Sequence, residues 1–479
     1  MYVSGHLSPR VTIETIPDDI LLDVFDFCLQ GLEDYPDSRA RYWNRLVHVC
    51  QGWRYIVFAS PHRLNLCLSC TEHTPVKETL DVWPPLPIEI SSSRLSDNIF
   101  AALEHRDRVR KVSLHRIPRK RMVTLMPEPF PALERLFLAT DSVNDNNPPA
   151  LPTTFLGGSV PHLKSLSLRC ISLPTLPQLL SSSNDLVDLS LQRIPYGGYI
   201  SPEAMATCIC ALTRLTNLRI SFSFDCLVFR ARPGRRTRGT SPLTSSVLPS
   251  LTKLEFHGDS RYLEYLVAQI DAPVLKFVDM LLFDLALSNL PVFDIQNLAQ
   301  FIDRSPTLMS YNRAEMALGF AQVEIRLLPT MKTNRDGFSL TVPCNDASLQ
   351  LPCMVQICAH FSFLLSGVEK LEIEARRTSV RADMDDAKWL EFFHLFTSVQ
   401  TLQISRRAQP CIVSALEGLS GELATNVLPA LGDLYLQEKY PPPGSGSEQK
   451  DIGRFITARQ CVNRPVAVHY SEELRYKGK

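Results

Sequence analysis

Apolar residues fall along this chain in two different rhythms. In residues 13–61 they recur at helical spacing. Ile20, Leu21, Val24, Phe25, Cys28 and Leu29 form a first run; Trp43, Leu46, Val47, Val49, Cys50, Trp53, Ile56, Val57 and Phe58 form a second. Pro17 suits the first position of a helix, where its missing N–H would have no partner. Asp18 and Asp19 place negative charge where the helix dipole favours it. Gly31 and the run Glu33, Asp34, Tyr35, Pro36, Asp37, Ser38 separate the two runs, and Ser60-Pro61 ends the second. Helices this short need a packing partner. About fifty residues also make a small core, so the segment is expected to lean on the rest of the chain or on another protein.

After Pro61 the rhythm becomes apolar-x-x-apolar-x-apolar. The copies are Val109, Val112, Leu114; Leu133, Leu136, Leu138; Leu163, Leu166, Leu168; Leu186, Leu189, Leu191; and Leu215, Leu218, Ile220. They continue as Leu251, Leu254, Phe256; Leu275, Val278, Met280; Val368, Leu371, Ile373; Val399, Leu402, Ile404; and Leu431, Leu434, Leu436. Successive copies start 23 to 36 residues apart, except for one interval of 93. That interval has room for about three more units, with Val323 and Ile325, and Phe338, Leu340 and Val342, as candidates for two. Leu66 and Leu68, and Ile88 and Ile90, supply the first strands. In five copies Pro131, Pro161, Pro249, Pro273 and Pro429 stand two residues before the first apolar position, ending the segment that returns to the next strand.

Such a unit reads as a strand with one buried face, followed by a return segment. Return helices are predicted over 96–106, 285–303 with a break near Pro291, 384–396 and 411–423, and a last helix and strand over 451–460 and 466–468. The expected fold is α/β: a small helical domain at 13–61 after an extension at 1–12, then an irregular leucine-rich-repeat-like solenoid with a curved parallel sheet over 62–440. A Pro/Gly/Ser connector at 441–450 precedes a closing helix and strand at 451–479. The other reading of the pattern is an ordinary α/β domain with a buried parallel sheet.

Residues between the apolar positions point to the opposite face of the strands and are mostly polar. Phe137, Phe277, Leu281 and Tyr435 depart from this, and outward aromatics are candidate binding anchors. The competing reading is that a loop or the C-terminal segment covers them.

Composition narrows the function. The 479 residues carry formal net charge zero and are 45% hydrophobic. Balanced charge argues against a nucleic-acid binder. The start MYVSGHLSPRVTIE has no apolar core of a secretory signal, and no apolar run reaches bilayer length. Thirteen scattered cysteines are an odd number and fit a reducing interior, so the expectation is an intracellular protein, cytoplasmic or nuclear. The basic run Arg230 to Arg238 sits in an expected flexible loop at 230–246. Cys67, Cys70 and His73 lack the second close-spaced pair of a zinc site. No nucleophile–base pair, paired carboxylates or cofactor fingerprint can be nominated. The chain is therefore expected to have no catalytic residues, no metal and no cofactor.

The N-terminal residues carry a resemblance. Ile16, Pro17, Asp18, Asp19, Ile20, Leu21 with Val24-Phe25, then Leu46, Val49-Cys50 and Trp53-Arg54, resemble an F-box, with Ile16, Asp19 and Ile20 replacing the commonest residues. The segment Leu80 to Ile88 and the tetrapeptide Ser305-Pro306-Thr307-Leu308 are similar to recurrent segments of F-box proteins of mushroom-forming fungi. The resemblance implies a substrate receptor of an SCF-type cullin-RING ubiquitin ligase. Its F-box would dock a Skp-family adaptor through Ile16, Pro17, Ile20, Leu21, Phe25, Leu46, Val49 and Trp53. Its repeats would hold a protein substrate at a face including Phe137, Arg169, Arg219, Phe277 and Tyr435, where the arginines suit an acidic or phosphorylated segment. The alternatives are a non-ligase scaffold whose helices only cap the repeats, and an enzyme on an α/β sheet.

Overall fold

The tripeptide pattern does what its spacing demands: in none of the ten copies does an apolar position exceed 4% exposure. The structure is a computed structural model. It describes residues 13–30, 43, 45–61, 63–64, 66–122, 124–140, 150–172, 174–223, 246–283, 295–329, 337–376, 386–419, 423–437 and 452–471. The chain divides into two compact units, one of 1–141 with 151–163, the other of 142–150 with 164–479.

In the first unit, helices α1 (Asp18–Gln30) and α2 (Gln51–Ala59) precede four strands. These are β1 (Leu68–Cys70), β2 (Ile88–Ser92), β3 (Val109–Leu114) and β4 (Arg135–Ala139), paired in parallel in chain order. Short helices Val76–Val82 and Asp97–Leu103 connect the first three. The second apolar run is not one helix. Residues 45–47 are helical, 48–50 turn, and Cys50 then caps α2, its Sγ accepting the Trp53 N–H at 3.4 Å.

The second unit is mixed α/β with a large, mostly parallel sheet. Its strands are β5 (Ser165–Arg169), β6 (Asp188–Ile194), β7 (Asn217–Phe222), β8 (Ser246–Val247), β9 (Lys253–Asp259), β10 (Ile270–Asp271) and β11 (Phe277–Phe283). They continue as β12 (Arg313–Leu318), β13 (Gln322–Leu328), β14 (Gly337–Pro343), β15 (Lys370–Ala375), β16 (Thr401–Ile404), β17 (Asp433–Gln437) and β18 (Ala467–Ser471). In space they run β5-β6-β7-β9-β11-β14-β13-β12-β15-β16-β17-β18, while β8 and β10 form a separate small parallel pair. Helices Pro202–Cys210, Ser260–Val267 and Gln296–Asp303 stack side by side, as do Ala347–His360, Asp386–Phe393, Gln409–Glu417 and Gly453–Cys461. The core lies between these helices and the apolar face of the sheet. Each fully buried Leu, Ile, Val or Phe there contributes about 1.5–3 kcal/mol.

The prolines have a sharper role than ending a helix. In each marked copy the first apolar N–H closes a turn onto the carbonyl three residues back: Leu133 to Phe130 at 3.2 Å, Leu163 to Val160 at 3.2 Å, Leu251 to Leu248 at 3.3 Å, Leu275 to Ala272 at 3.2 Å and Leu431 to Leu428 at 3.0 Å. Proline occupies the second position of each turn, where its fixed φ is already correct. Ser305-Pro306-Thr307-Leu308 is the same turn, with Leu308 donating to Ser305 at 3.0 Å. The next N–H then reaches the matching carbonyl of the preceding strand's unit, as in Thr252 to Thr216 at 2.9 Å and Lys276 to Thr252 at 2.8 Å.

The interval of 93 residues does not hold three parallel units. Strands β12 and β13 are antiparallel, as are β13 and β14; β14 pairs in parallel with β11, and β12 with β15. The cause is loop length. Only residues 319–321 join β12 to β13, with Gly319 donating to the Gln322 carbonyl at 2.8 Å, and a parallel return needs a crossover of a dozen residues or more.

Among the described residues, the helices that fall in the predicted return segments are Asp97–Leu103, Gln296–Asp303, Asp386–Phe393 and Gln409–Glu417, with a further turn at Leu423–Asn426. The terminal helix and strand are Gly453–Cys461 and Ala467–Ser471. Residues 1–12, the break near Pro291, the connector at 441–450 and all but Ser246 of the basic loop lie outside the described residues. Ser246 belongs to β8 and not to a loop. No described helix is long and apolar enough to cross a membrane.

Candidate functional site

Helix α1 is apolar on two sides. Leu21, Leu22 and Phe25 are buried, with the Phe25 ring 4.7 Å from that of Trp53 on α2. Ile20, Val24 and Phe27 lie on the far side, 48%, 50% and 77% exposed. Around α2, Leu46, Val47, Ile56 and Val57 are buried, while Val49 and Tyr55 stand 60% and 74% exposed. Pro17 is exposed and Ile16 half-buried, and the Pro17 carbonyl accepts the Leu21 N–H at 3.1 Å. Of the eight sequence-chosen docking residues, Leu21, Phe25 and Leu46 therefore hold the helices together, and Pro17, Ile20 and Val49 face solvent. Trp53 is half-buried between these roles.

The helices are fastened to Trp83, in the segment between β1 and β2. Trp43, 4% exposed, meets the ring of Trp83 at 5.7 Å and 85°, and Phe58 meets Trp83 at 5.6 Å. Arg54 Nε donates to the Val47 carbonyl at 2.9 Å, and Arg63 pairs with Asp23. Val24, Phe27 and Tyr55 were missed as surface residues. A helical wheel finds the first two, since they fall opposite Leu22 and Phe25; Tyr55 needs the packing of α2 to be known.

On the outward face of the second unit, Arg219 and Phe277 are drawn into one cluster. Glu255, nearly buried, pairs with Arg219 and, at 2.7 Å, with Lys253 Nζ, which sits 4.7 Å above the Phe277 ring. Arg169 is exposed at the end of β5. Tyr435 stacks on His469 of β18 at 4.6 Å and 20°, and His469 Nε2 lies 2.8 Å from Asp433 Oδ1. Strand β18 thus partly covers Tyr435, as the competing reading of that residue expected. Leu281 is half-buried on β11. Phe137 belongs to the first unit and packs at 4.7 Å against His115. His257 lies beside Asp279 at 3.8 Å, and the imidazole, with Ser339, holds that carboxyl below the ordinary range despite burial.

Sequence reading missed a second outward cluster, because it depends on the inserted antiparallel strands. Glu315, Glu324, Arg326, Glu372, Glu374 and Arg376 line a cavity of about 170 Å³. Glu324 is buried and pairs with Arg326 and, at 3.5 Å, with Arg376; Arg376 also reaches Glu374 at 3.3 Å. Arg313 bridges Glu315 at 2.7 Å and Glu372 at 3.0 Å, and Lys370 adds a contact to Glu372 at 2.9 Å. Each carboxylate is answered by a cation from the same sheet, so the cavity is charge-compensated. Cys70, placed near a possible metal set by sequence, is buried in β1, and burial pushes its thiol up to about 11. Among the described residues no group of three or more His, Cys, Asp or Glu is arranged to hold a metal ion.

In comparison with known proteins, no family model matches the chain and no curated protein shows significant similarity to it.

Proposed function

We propose that this chain is the substrate receptor of an SCF-type cullin-RING ubiquitin ligase. Residues 13–61 act as an F-box that docks a Skp-family adaptor. The leucine-rich-repeat-like units that follow present a protein substrate on the outward sheet face, through side chains such as Arg169, Arg219 and Phe277. The observation that carries the reading is the division of labour in α1: one apolar side, Leu21, Leu22 and Phe25, closes the unit, and a second, Ile20, Val24 and Phe27, is left open. A helix that needed only to cap the strands would be polar there.

Such a receptor makes and breaks no covalent bond. It holds a substrate lysine near a charged conjugating enzyme, and the rate gain comes from raised effective concentration. The protein would work inside the cell, in cytoplasm or nucleus. The non-ligase scaffold is favoured by one feature: the Trp43–Trp83–Phe58 contacts tie the helices to the connection between β1 and β2, as a cap would be tied.

Co-purification with a Skp-family adaptor separates the two. Ile20→Asp/Val49→Asp is the suitable variant, because both side chains are exposed, whereas Leu21→Asp would unfold the unit. Stoichiometric capture by wild type and its loss in a variant with unchanged circular dichroism supports the receptor. Absence of capture by folded wild type rejects it and leaves the scaffold.

A further inference from the structure

The last strand of the second unit, β18, lacks a neighbour for its main chain on one side. Successive residues of a strand turn their N–H and C=O groups to opposite sides. Ala467 donates to the Gly432 carbonyl at 2.8 Å, so Ala467, His469 and Ser471 direct theirs towards β17. Val468 and Tyr470 direct theirs the other way, as does Val466 just before the strand. Among the described residues β18 pairs with no strand on that side.

The apolar row of the sheet runs out of cover at the same place. Leu402 and Ile404 on β16, and Leu434 and Leu436 on β17, are at most 2% exposed. Their counterparts in register on β18 are Val468, half-buried, and Tyr470, 55% exposed. Sheet edges are ordinarily blunted by a charge, a proline or a bulge. The strand Ala467-Val468-His469-Tyr470-Ser471 contains no Lys, Arg, Asp, Glu or Pro, and its pairing with β17 runs without a register break.

We infer that β18 is a docking edge for a second copy of this chain, the two strands pairing antiparallel about a two-fold axis through Val468. The side chains of the edge are complementary to their own reverse. In that register Val468 faces its counterpart and Val466 faces Tyr470, all with outward main-chain groups, so each facing pair exchanges two hydrogen bonds. On the other side of the strand Ala467 faces His469, small against large, and no like charges meet. A register centred on His469 sets two imidazoles face to face. An unrelated extended peptide has to bring its own matching row of side chains, whereas a second copy brings one by symmetry. The contact spans only about five residues a side, which makes a weak dimer, half-formed at about 10–100 µM. The inference is independent of the adaptor-docking reading, which concerns the other unit.

The test uses the purified full-length chain alone, its mass followed by sedimentation velocity from about 1 to 200 µM. Wild type is expected to pass from monomer to dimer across that range. Tyr470→Lys puts a charge on an exposed edge position, opposite Val466 of the second copy, and is expected to weaken the dimer at least about 10-fold. Val468→Pro removes an outward N–H and no bond to β17, and is expected to do the same; if it lowers the melting temperature, Tyr470→Lys alone decides. Symmetry adds a readout that a merely weakened strand does not give. Hydrogen-bonded antiparallel partners lie about 5.5 Å apart at Cα, within disulfide reach. Val468→Cys, in a chain with Cys28, Cys50, Cys226 and Cys461 changed to Ser, is therefore expected to cross-link to its own counterpart under copper–phenanthroline in air. A monomer at every concentration overturns the inference. So does a dimer that Tyr470→Lys leaves unchanged, growth beyond the dimer, or a dimer in which Val468→Cys does not cross-link.

Discussion

Arg459 offers a direct measure of what closes the C-terminal end of the second unit. It is 1% exposed, on helix Gly453–Cys461, with no carboxylate partner among the described residues. Its guanidinium is spent on main-chain carbonyls: Nη2 donates to Leu431 at 2.9 Å, Nη1 to Ala424 at 3.0 Å, and longer contacts reach Leu428 at 3.3 Å, Val427 at 3.5 Å and, from Nε, Arg464 at 3.3 Å. All but that of Arg464 belong to residues 424–431, the segment that leads into β17. Burial, together with the neighbouring Arg464, lowers the Arg459 pKa, so these bonds and the Phe455 ring, 5.8 Å from the guanidinium, have to hold the cation. Arg459→Met keeps most of the volume and removes every donor. Each of the two short bonds involves a charged group and is worth about 1.5–3 kcal/mol, offset by relief of the buried charge, so a net loss of about 2–4 kcal/mol is expected. Arg459→Ala adds a cavity and should cost about 3–5 kcal/mol. Repeat units unfold in part independently. The loss should therefore be greatest in native-state hydrogen exchange of the Leu434 and Leu436 amides, with a smaller shift in the urea midpoint. Arg459→Met within about 0.5 kcal/mol of wild type, with those amides still protected, would refute the reasoning.

Other outcomes follow from single contacts. Glu72 accepts hydrogen bonds from Ser92, at 2.5 Å, and Ser93, at 2.9 Å, which with its own main-chain N–H lower its pKa to about 2. Its contribution is present in full above the ordinary carboxylate pKa of ~4.3 and is lost as pH falls from there towards about 2. Acid titration of the first unit's stability should accordingly flatten in Glu72→Gln. Glu264 caps the neighbouring helix, its carboxylate accepting the N–H groups of Asn297 at 2.9 Å and Leu298 at 2.8 Å, so Glu264→Ala should cost ~1–2 kcal/mol in a urea titration, and no change would contradict the cap. A maleimide at pH 8 should label the exposed Cys28, Cys50 and Cys461 in the native protein. Cys353, pushed up to about 12 by burial, and Cys358, raised further, should react only after unfolding, and mass spectrometry at early times reads the difference.

The repeat was legible because its determinants are local. Alternation fixes which side chains of a strand share a face, and Val109, Val112 and Leu114 and their nine counterparts are buried as that rule requires. Pro131 and its equivalents mark turns through a constraint on their own φ. Helix ends were less legible: apolar spacing carried the helix predicted over 384–396 through Phe396, but it ends at Phe393, with His394 and Leu395 in a turn.

Strand order was not legible at all between Met280 and Val368. Strand β12 reads Arg-Ala-Glu-Met-Ala-Leu, in which small alanines mute the alternation, and nothing within it says that its parallel partner is β15 and not β11. That choice depends on which edges are free when the chain folds back through residues 319–321. It decides in turn that Glu324 and Arg326 face Glu315, Glu372 and Glu374 around one cavity. The helical segment divides the same way. Helical period alone marked Ile20, Leu21, Val24 and Phe25 as apolar, but only the packing of Phe25 on Trp53, and of Trp43 and Phe58 on Trp83, determined which of them are core and which stay exposed. Sequence settled what is apolar and at what period, because those are properties of neighbouring residues. Tertiary structure settled which apolar surface is already used, because that depends on residues far apart in the chain.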